Sequence, residues 1–124
     1  MKKVLLVIMV LALMLSLTGC LRTEGESIAV AAEDFVNLLS QGEYVQAARY
    51  FDETMKTELS PVDLEAAWKT LLDKGGEFLK QEYIEVHDFD FHRVIRVAGI
   101  FEKARVEFRV TFNEAEEIAG LYIK

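Results

Sequence analysis

Apolar residues recur every three or four positions in the first half of the chain, which predicts a group of helices. The first predicted helix covers residues 27–40, with an apolar stripe of Ile28, Ala31, Ala32, Phe35, Leu38 and Leu39. Gly42 follows as a left-handed stop. A second, short helix is predicted from about Glu43, and Asp52 is predicted to cap one further turn.

A further long helix is predicted from Pro61, and it has the clearest start signal in the sequence. Ser60 is the predicted N-cap, Pro61 takes the first helical position, and Asp63 lies three residues after the cap, as in a capping box. Gly75 and Gly76 end this predicted helix.

After Gly76 the apolar residues alternate with polar ones, which predicts strands instead of helices. We predict strands at residues 78–86, 93–101, 104–112 and 117–124. Helices followed by consecutive strands indicate an α+β fold, in which the helices cover one face of a curved antiparallel sheet.

The N-terminal twenty residues have a different pattern. Lys2 and Lys3 precede an apolar run over residues 4–17, which is shorter than the ~20 residues needed to span a bilayer. The run ends in Leu17-Thr18-Gly19-Cys20, which resembles the lipobox of bacterial lipoproteins. The resemblance implies cleavage before Cys20 by a signal peptidase that recognises Leu17, Thr18 and Gly19, and diacylglyceryl and acyl (palmitate-type) lipidation at Cys20.

These features predict three parts and a location. Residues 1–19 are the predicted signal peptide, residues 20–27 the lipidated cysteine with a short tether, and residues 28–124 one α+β domain. The protein is expected on the extracytoplasmic face of the cell membrane, with the membrane as a partner through its lipid anchor. Cys20 is the only cysteine in the sequence, so lipidation would consume the chain's sole thiol.

Net charge narrows the choice of partners. The formal charge of −7 becomes −9 if Lys2 and Lys3 leave with the signal peptide. Such an acidic domain lacks the basic surface that nucleic acid requires, and no nucleic-acid partner is expected. It also lacks an electrostatic attraction to anionic lipid, so the domain is expected to stand off the membrane.

The domain itself resembles a bacterial and archaeal domain of unknown function. The resemblance extends over about residues 28–124. The domain that it resembles is usually grouped with the cone-shaped, nuclear transport factor 2-like α+β fold. It is carried by Ala32, Phe35, Val36, Leu39, Gly42-Glu43-Tyr44, Ala47-Ala48, Phe51-Asp52, Met55, Leu64, Trp68, Gly76-Glu77-Phe78, Val106, Val110, Phe112 and Ile118-Ala119-Gly120-Leu121. Related domains occur as lone lipoproteins and ahead of α/β-hydrolases. The resemblance implies a fold but no activity.

Two sets of residues are candidates for a site. Tyr44, Trp68, Tyr83 and Tyr122 are predicted to line a pocket, and the alternative is that they are core residues with polar tips at the surface. In an extended segment Asp88, Asp90 and His92, next to His87, would share one face and form a weak metal site or an enzyme centre. The alternative is a polar connection between strands with Phe89 and Phe91 turned inward.

The sequence favours a non-enzymatic protein. It contains none of the common nucleophile, metalloprotease, phosphate-loop or dinucleotide motifs, and no cofactor is expected. The predicted function is to bind a small ligand, a peptide or another envelope protein.

Charged and apolar residues also alternate on the predicted sheet. We expect the arginines Arg93, Arg96, Arg105 and Arg109 to pair across strands with Glu82, Glu85, Glu107 and Glu117. Val94, Ala98 and Ile100 leave the second strand partly apolar on its outer face, which favours a homodimer formed through the sheet.

Overall fold

A computed structural model describes residues 24–124 as four helices and one four-stranded sheet. The helices are α1 (Glu24–Ser40), α2 (Tyr44–Ala48), α3 (Glu53–Glu58) and α4 (Pro61–Gly75). The strands are β1 (Phe78–Phe89), β2 (His92–Phe101), β3 (Arg105–Phe112) and β4 (Ile118–Ile123). None of the helices in this part of the chain has the length and apolar character needed to cross a membrane. The predicted signal peptide and Cys20 lie outside the described residues.

Helix α1 begins three residues before its predicted start at residue 27. The stripe starts at Ile28, but the helical backbone already starts at Glu24, so part of the predicted tether is helix. Helices commonly extend beyond their buried stripe, because a solvent-exposed turn needs no apolar contact. Gly42 and Gly76 end their helices with positive φ angles of 77° and 79°, which glycine adopts without a steric clash of a Cβ atom.

Side chains satisfy the free N–H groups at the starts of α3 and α4. The Met55 N–H donates to Asp52 Oδ1 at 2.8 Å. At α4 the Asp63 N–H donates to Ser60 Oγ at 3.3 Å, and the Ser60 N–H donates to Asp63 Oδ2 at 3.1 Å. The predicted capping box is therefore confirmed.

The four strands form an antiparallel meander in chain order, as predicted. Strand β1 is longer than expected, because its pairing with β2 continues to Phe89, which faces His92. Asp90 and Phe91 form the turn of this hairpin, and Asp90 has a φ of 52°. Register shifts interrupt β1 at two places and the β3–β4 pair at one. Such irregularities bend a sheet.

The helices pack on one face of the sheet and form one core, which confirms the α+β prediction. The sheet contributes alternate residues to it: Ile95, Val97 and Phe101 from β2, Phe108, Val110 and Phe112 from β3, and Ile118 from β4. Edge strand β1 is tied to α1 by Gln81, whose Nε2 donates to the Glu33 carbonyl at 2.7 Å. This bond fixes where α1 crosses the sheet.

An aromatic cluster joins α4 to the sheet. Trp68 lies with its ring centroid 5.4 Å from that of Phe78, 5.6 Å from Phe101 and 6.2 Å from Phe108. The Phe108 ring lies over Gly99 of the neighbouring strand, so closely that a Cβ at Gly99 would be 2.6 Å from Phe108 Cε2. The missing side chain at Gly99 therefore makes room for the ring that stacks on Trp68.

We predict that Gly99→Ala destabilises the domain by about 1–3 kcal/mol, since the added methyl group displaces a packed ring. Urea unfolding followed by Trp68 fluorescence measures the effect. Gly120→Ala is the matched control on β4, because its Cβ would lie 3.4 Å from Thr111 Cβ, an ordinary contact. Equal stabilities of the two variants would contradict the proposed role of Gly99.

Candidate functional site

An apolar groove of about 240 Å³ lies between helix α4 and edge strand β4. We call it the α4–β4 groove. It is lined by Leu39, Leu59, Leu64, Ala67, Trp68, Leu71, Leu121, Tyr122 and Ile123. The lining residues are therefore aliphatic and aromatic, and Trp68 and Tyr122 are the only ones among them with a polar side-chain atom. Such a lining suits an apolar group more than a charged one.

Of the four aromatic residues predicted to form a pocket, the structure brings two together. Trp68 and Tyr122 line the groove, whereas Tyr44 packs half-buried against the core and does not reach it. Tyr83 lies 44% exposed on β1, at the other edge of the sheet. Tyr122 also receives the Arg109 guanidinium, 5.7 Å from its ring centroid, which holds the ring on the outer face.

The backbone of β4 leaves one edge open along the groove. Glu107 and Lys124 exchange both N–H···O bonds, so the alternating antiparallel pattern turns Tyr122 toward β3 and turns the N–H and C=O groups of Leu121 and Ile123 outward. Only the start of this edge is covered, by a short parallel bridge between Phe51 and Ile118. Within residues 24–124 no hydrogen bond to the outward groups of Leu121 and Ile123 is present.

A second, more polar cleft of about 430 Å³ lies at the tip of the β1–β2 hairpin. We call it the hairpin cleft. Its lining comes from α1, the hairpin and the β3–β4 turn, and consists of Ile28, Asp88, Asp90, Phe91, His92, Arg93, Phe112, Asn113, Glu114 and Glu116. The Arg93 Nε lies 3.4 Å from Asp88 Oδ1, so one carboxylate is already paired with a cation.

The candidate metal residues do not form the arrangement that the sequence suggested. That prediction assumed an extended segment, but Asp90 lies in the hairpin turn with a φ of 52°. Asp88, Asp90 and His92 all line the hairpin cleft, but not as alternate residues of one extended strand. His87 precedes Asp88 and lies on the opposite face of β1. Within residues 24–124 no three His, Cys, Asp or Glu side chains lie close enough together to hold a metal ion. Phe89 and Phe91, expected to turn inward, are 63% and 78% exposed.

The outer face of the sheet, away from the helices, carries a network of charges. Arg96 Nε donates to Glu107 Oε1 at 2.6 Å, and its Nη1 donates to Glu85 at 2.5 Å. Arg109 Nε donates to Glu107 Oε2 at 2.8 Å. The predicted cross-strand pairing with glutamates is thus confirmed for Arg96. Arg109 pairs instead with Glu107 of its own strand. Arg93 pairs across the hairpin with Asp88 and not with a glutamate.

These bonds change the pKa of the groups that make them. Hydrogen bonds from Arg109 and then from Arg96 lower the pKa of Glu107, because they stabilise the carboxylate. The bonds to Glu85 and Glu107 raise the pKa of Arg96. Ala98 is buried between Glu82 and Glu107 on this same face, so this one of the apolar positions expected at a sheet dimer lies among paired charges. Homodimerisation stays a prediction.

Comparison with protein families identifies the domain. A family model described as a protein of unknown function, DUF3887, matches residues 32–121. The chain belongs to this family. Comparison with curated proteins and with solved structures gives no match. The DUF3887 match covers α1 from Ala32 onward through most of β4, and it therefore includes the α4–β4 groove apart from the end of β4.

The sequence of this DUF3887 domain does not reveal the groove as a site, although it points to some of the lining residues. Leu39 belongs to the predicted apolar stripe of α1, and Trp68 and Tyr122 are among the predicted pocket residues. A stripe cannot reveal a gap between two elements, because the gap depends on how far α4 stands from β4. The only local signal is the run of apolar residues at the end of β4, an edge strand.

We predict that Glu107→Gln lowers the free energy of unfolding near neutral pH by about 0.5–1 kcal/mol, since two charged hydrogen bonds weaken. A lowered carboxyl pKa stabilises the fold above the ordinary value of 4.5 and ceases to do so as pH falls through the lower folded value. The difference between parent and variant should therefore shrink in acid. Urea unfolding across this pH range measures it, with the exposed Glu114→Gln as control. A difference that persists in acid would contradict the electrostatic explanation.

Proposed function

We propose that the protein is a lipid-anchored, extracytoplasmic binding protein whose single domain receives an apolar group in the α4–β4 groove. The observation that carries the proposal is the groove itself, with its apolar walls and its position beside an open strand edge. We further propose a nuclear transport factor 2-like cone for the fold. The bulged antiparallel sheet with helices over one face supports that relation.

The anchor is supported by the order of features in the sequence. A basic start, an apolar run too short to span a bilayer, and the lipobox-like Leu17-Thr18-Gly19-Cys20 follow one another. Two or more acyl chains hold a protein stably at a membrane, whereas one chain holds it only weakly. The acidic domain offers no basic surface to assist, so the lipid would carry the attachment.

The size of the groove limits its ligand. About 240 Å³ lies below the range of roughly 300–1,000 Å³ for pockets that enclose drug-sized ligands. The groove therefore suits the apolar part of a larger ligand, such as a side chain or a short hydrocarbon segment. Its lining carries no ionisable side chain other than the Tyr122 phenol, which supports binding over acid–base chemistry.

The open edge of β4 favours an extended peptide over a free small molecule. An added strand would bond to the outward backbone groups of Leu121 and Ile123, while alternate side chains enter the groove. In that case the amide hydrogens of Leu121 and Ile123 would exchange more slowly when the groove is occupied. A small apolar molecule would fill the groove without protecting these amides.

We predict that Ala67→Phe prevents an apolar probe from binding in the groove, because Ala67 lines its wall and the larger ring fills the space. The neutral dye N-phenyl-1-naphthylamine serves as probe. Energy transfer from Trp68, the sole tryptophan, reports dye bound to the domain, and the comparison with Ala67→Phe assigns it to the groove. We expect transfer in the parent protein and at least a tenfold weaker dye affinity in Ala67→Phe, about 1.4 kcal/mol.

The control for this experiment is Ala66→Phe, which adds the same ring to the exposed face of α4. It should bind the dye as the parent does. Thermal unfolding of both variants verifies that they are folded. Dye binding that is absent from the folded parent, or unchanged in Ala67→Phe, would contradict the proposal.

For the anchor, we predict that cells expressing the full chain incorporate labelled palmitate into the protein and that Cys20→Ala abolishes the label. The reason is that Cys20 supplies the only thiol for thioether formation. In membrane fractionation, the Cys20→Ala variant should be absent from the lipid-attached fraction. Cys20→Ala that still carries label would contradict lipidation at this residue.

A further inference from the structure

We propose that the tip of the β1–β2 hairpin, through Phe89 and Phe91, makes a second, apolar contact with the bilayer beside the lipid anchor. This inference rests on the anchor proposed above. It concerns a surface that the α4–β4 groove does not use. Its occupant is the lipid bilayer itself, at the depth of the headgroups and the first acyl carbons.

Phe89 and Phe91 are exposed to solvent, so their rings contribute little to the stability of the core. Phe89 is 63% exposed and Phe91 is 78% exposed, two residues apart at one hairpin tip. Single exposed apolar residues are ordinary, but two exposed aromatic rings at one hairpin turn are typical of an interaction surface.

The direction of α1 places the hairpin tip and the anchor at the same end of the domain. Glu33 bonds to Gln81, far from the tip on β1, whereas Ile28 lines the hairpin cleft together with Asp88 and Phe91. Going from Glu33 back to Ile28 thus follows β1 toward the tip. The chain therefore leaves the start of α1, at Glu24, on the hairpin side.

The short link to Cys20 keeps the tip close to the lipid. Four residue steps separate Glu24 from Cys20, and they reach about 14 Å when fully extended. Ile28 lies four residues into the helix, roughly 6 Å along its axis from Glu24. The cleft that contains Phe91 is therefore held within about 20 Å of the lipidated residue, and the exposed rings lie within reach of the same bilayer.

The charges around the hairpin tip limit how deeply the two rings enter the bilayer and determine which lipid headgroups suit the contact. Asp90 lies between the two phenylalanines, and Asp88, Glu114 and Glu116 line the same cleft. Carboxylates resist transfer into hydrocarbon, so the rings enter the interface while Asp90 stays hydrated. A neutral bilayer suits this contact better than an anionic one. The acidic domain thus has no electrostatic attraction to the membrane but has an apolar contact at one end.

The test uses the full lipidated chain in phosphatidylcholine vesicles whose acyl chains carry bromine, a short-range quencher of tryptophan. Trp68 is 3% exposed in the core, so the parent protein gives an unquenched background. We expect Phe91→Trp to add emission that is strongly quenched by brominated vesicles and shifted to shorter wavelength. Leu79→Trp is the matched control, since Leu79 is 58% exposed on β1 at the end opposite the tip. Its added emission should be unquenched.

A second measurement uses the native phenylalanines. Amide exchange of residues 88–93 should slow when the parent protein moves from detergent to vesicles, and the Phe89→Ser/Phe91→Ser variant should lose this protection. Mass spectrometry of the N-terminal peptide separates the two proposals. An unmodified Cys20 would overturn both. An acylated protein with unquenched Phe91→Trp emission overturns the hairpin contact alone, and so does quenching of Leu79→Trp equal to that of Phe91→Trp.

Discussion

The fold depends on the contact between the Phe108 ring and the bare backbone of Gly99. That contact lets Phe108 lie flat enough to stack on Trp68, at an interplanar angle of 26°. Trp68 in turn contacts Phe78 and Phe101, so one indole joins α4 to three strands. Aromatic pairs add about 0.5–1.5 kcal/mol each beyond their area burial, which makes this cluster a large part of the adhesion between helix and sheet.

The same cluster explains why a groove remains beside it. The Trp68 ring is engaged with the strands at the β1–β3 side of the sheet, while β4 continues past Phe108 as an edge strand with Ile123 opposite that ring. Helix α4 thus packs firmly against one part of the sheet and leaves a gap at β4. The gap is filled only in part by Leu64 and Leu71. An apolar cavity of this kind loses dispersion contacts, so a ligand that restores them binds favourably.

The sequence predicts much of this fold because many decisive signals are local. The caps at Asp52 and Ser60 and the left-handed Gly42 depend on residues three or four positions apart, and they are confirmed. The clustering of side chains from different strands is not local. Tyr83 and Tyr122 lie at opposite edges of the sheet, and the bulge between Tyr83 and Glu85 shifts the alternation of faces in β1. Asp90 in a left-handed turn breaks the extended pattern assumed for the metal site.

The two ends of α1 give the domain a direction. Ile28 lines the hairpin cleft and Leu39 lines the α4–β4 groove, and eleven residues of helix separate them by roughly 16 Å. If the chain is anchored through Cys20, the exposed phenylalanines face the bilayer and the groove is held away from it. A lipid anchor alone lets a domain rotate freely, whereas a second contact at the hairpin tip restricts its orientation. The open edge of β4 then stays accessible to a partner from the solvent, because the membrane contact uses the opposite end of the helix.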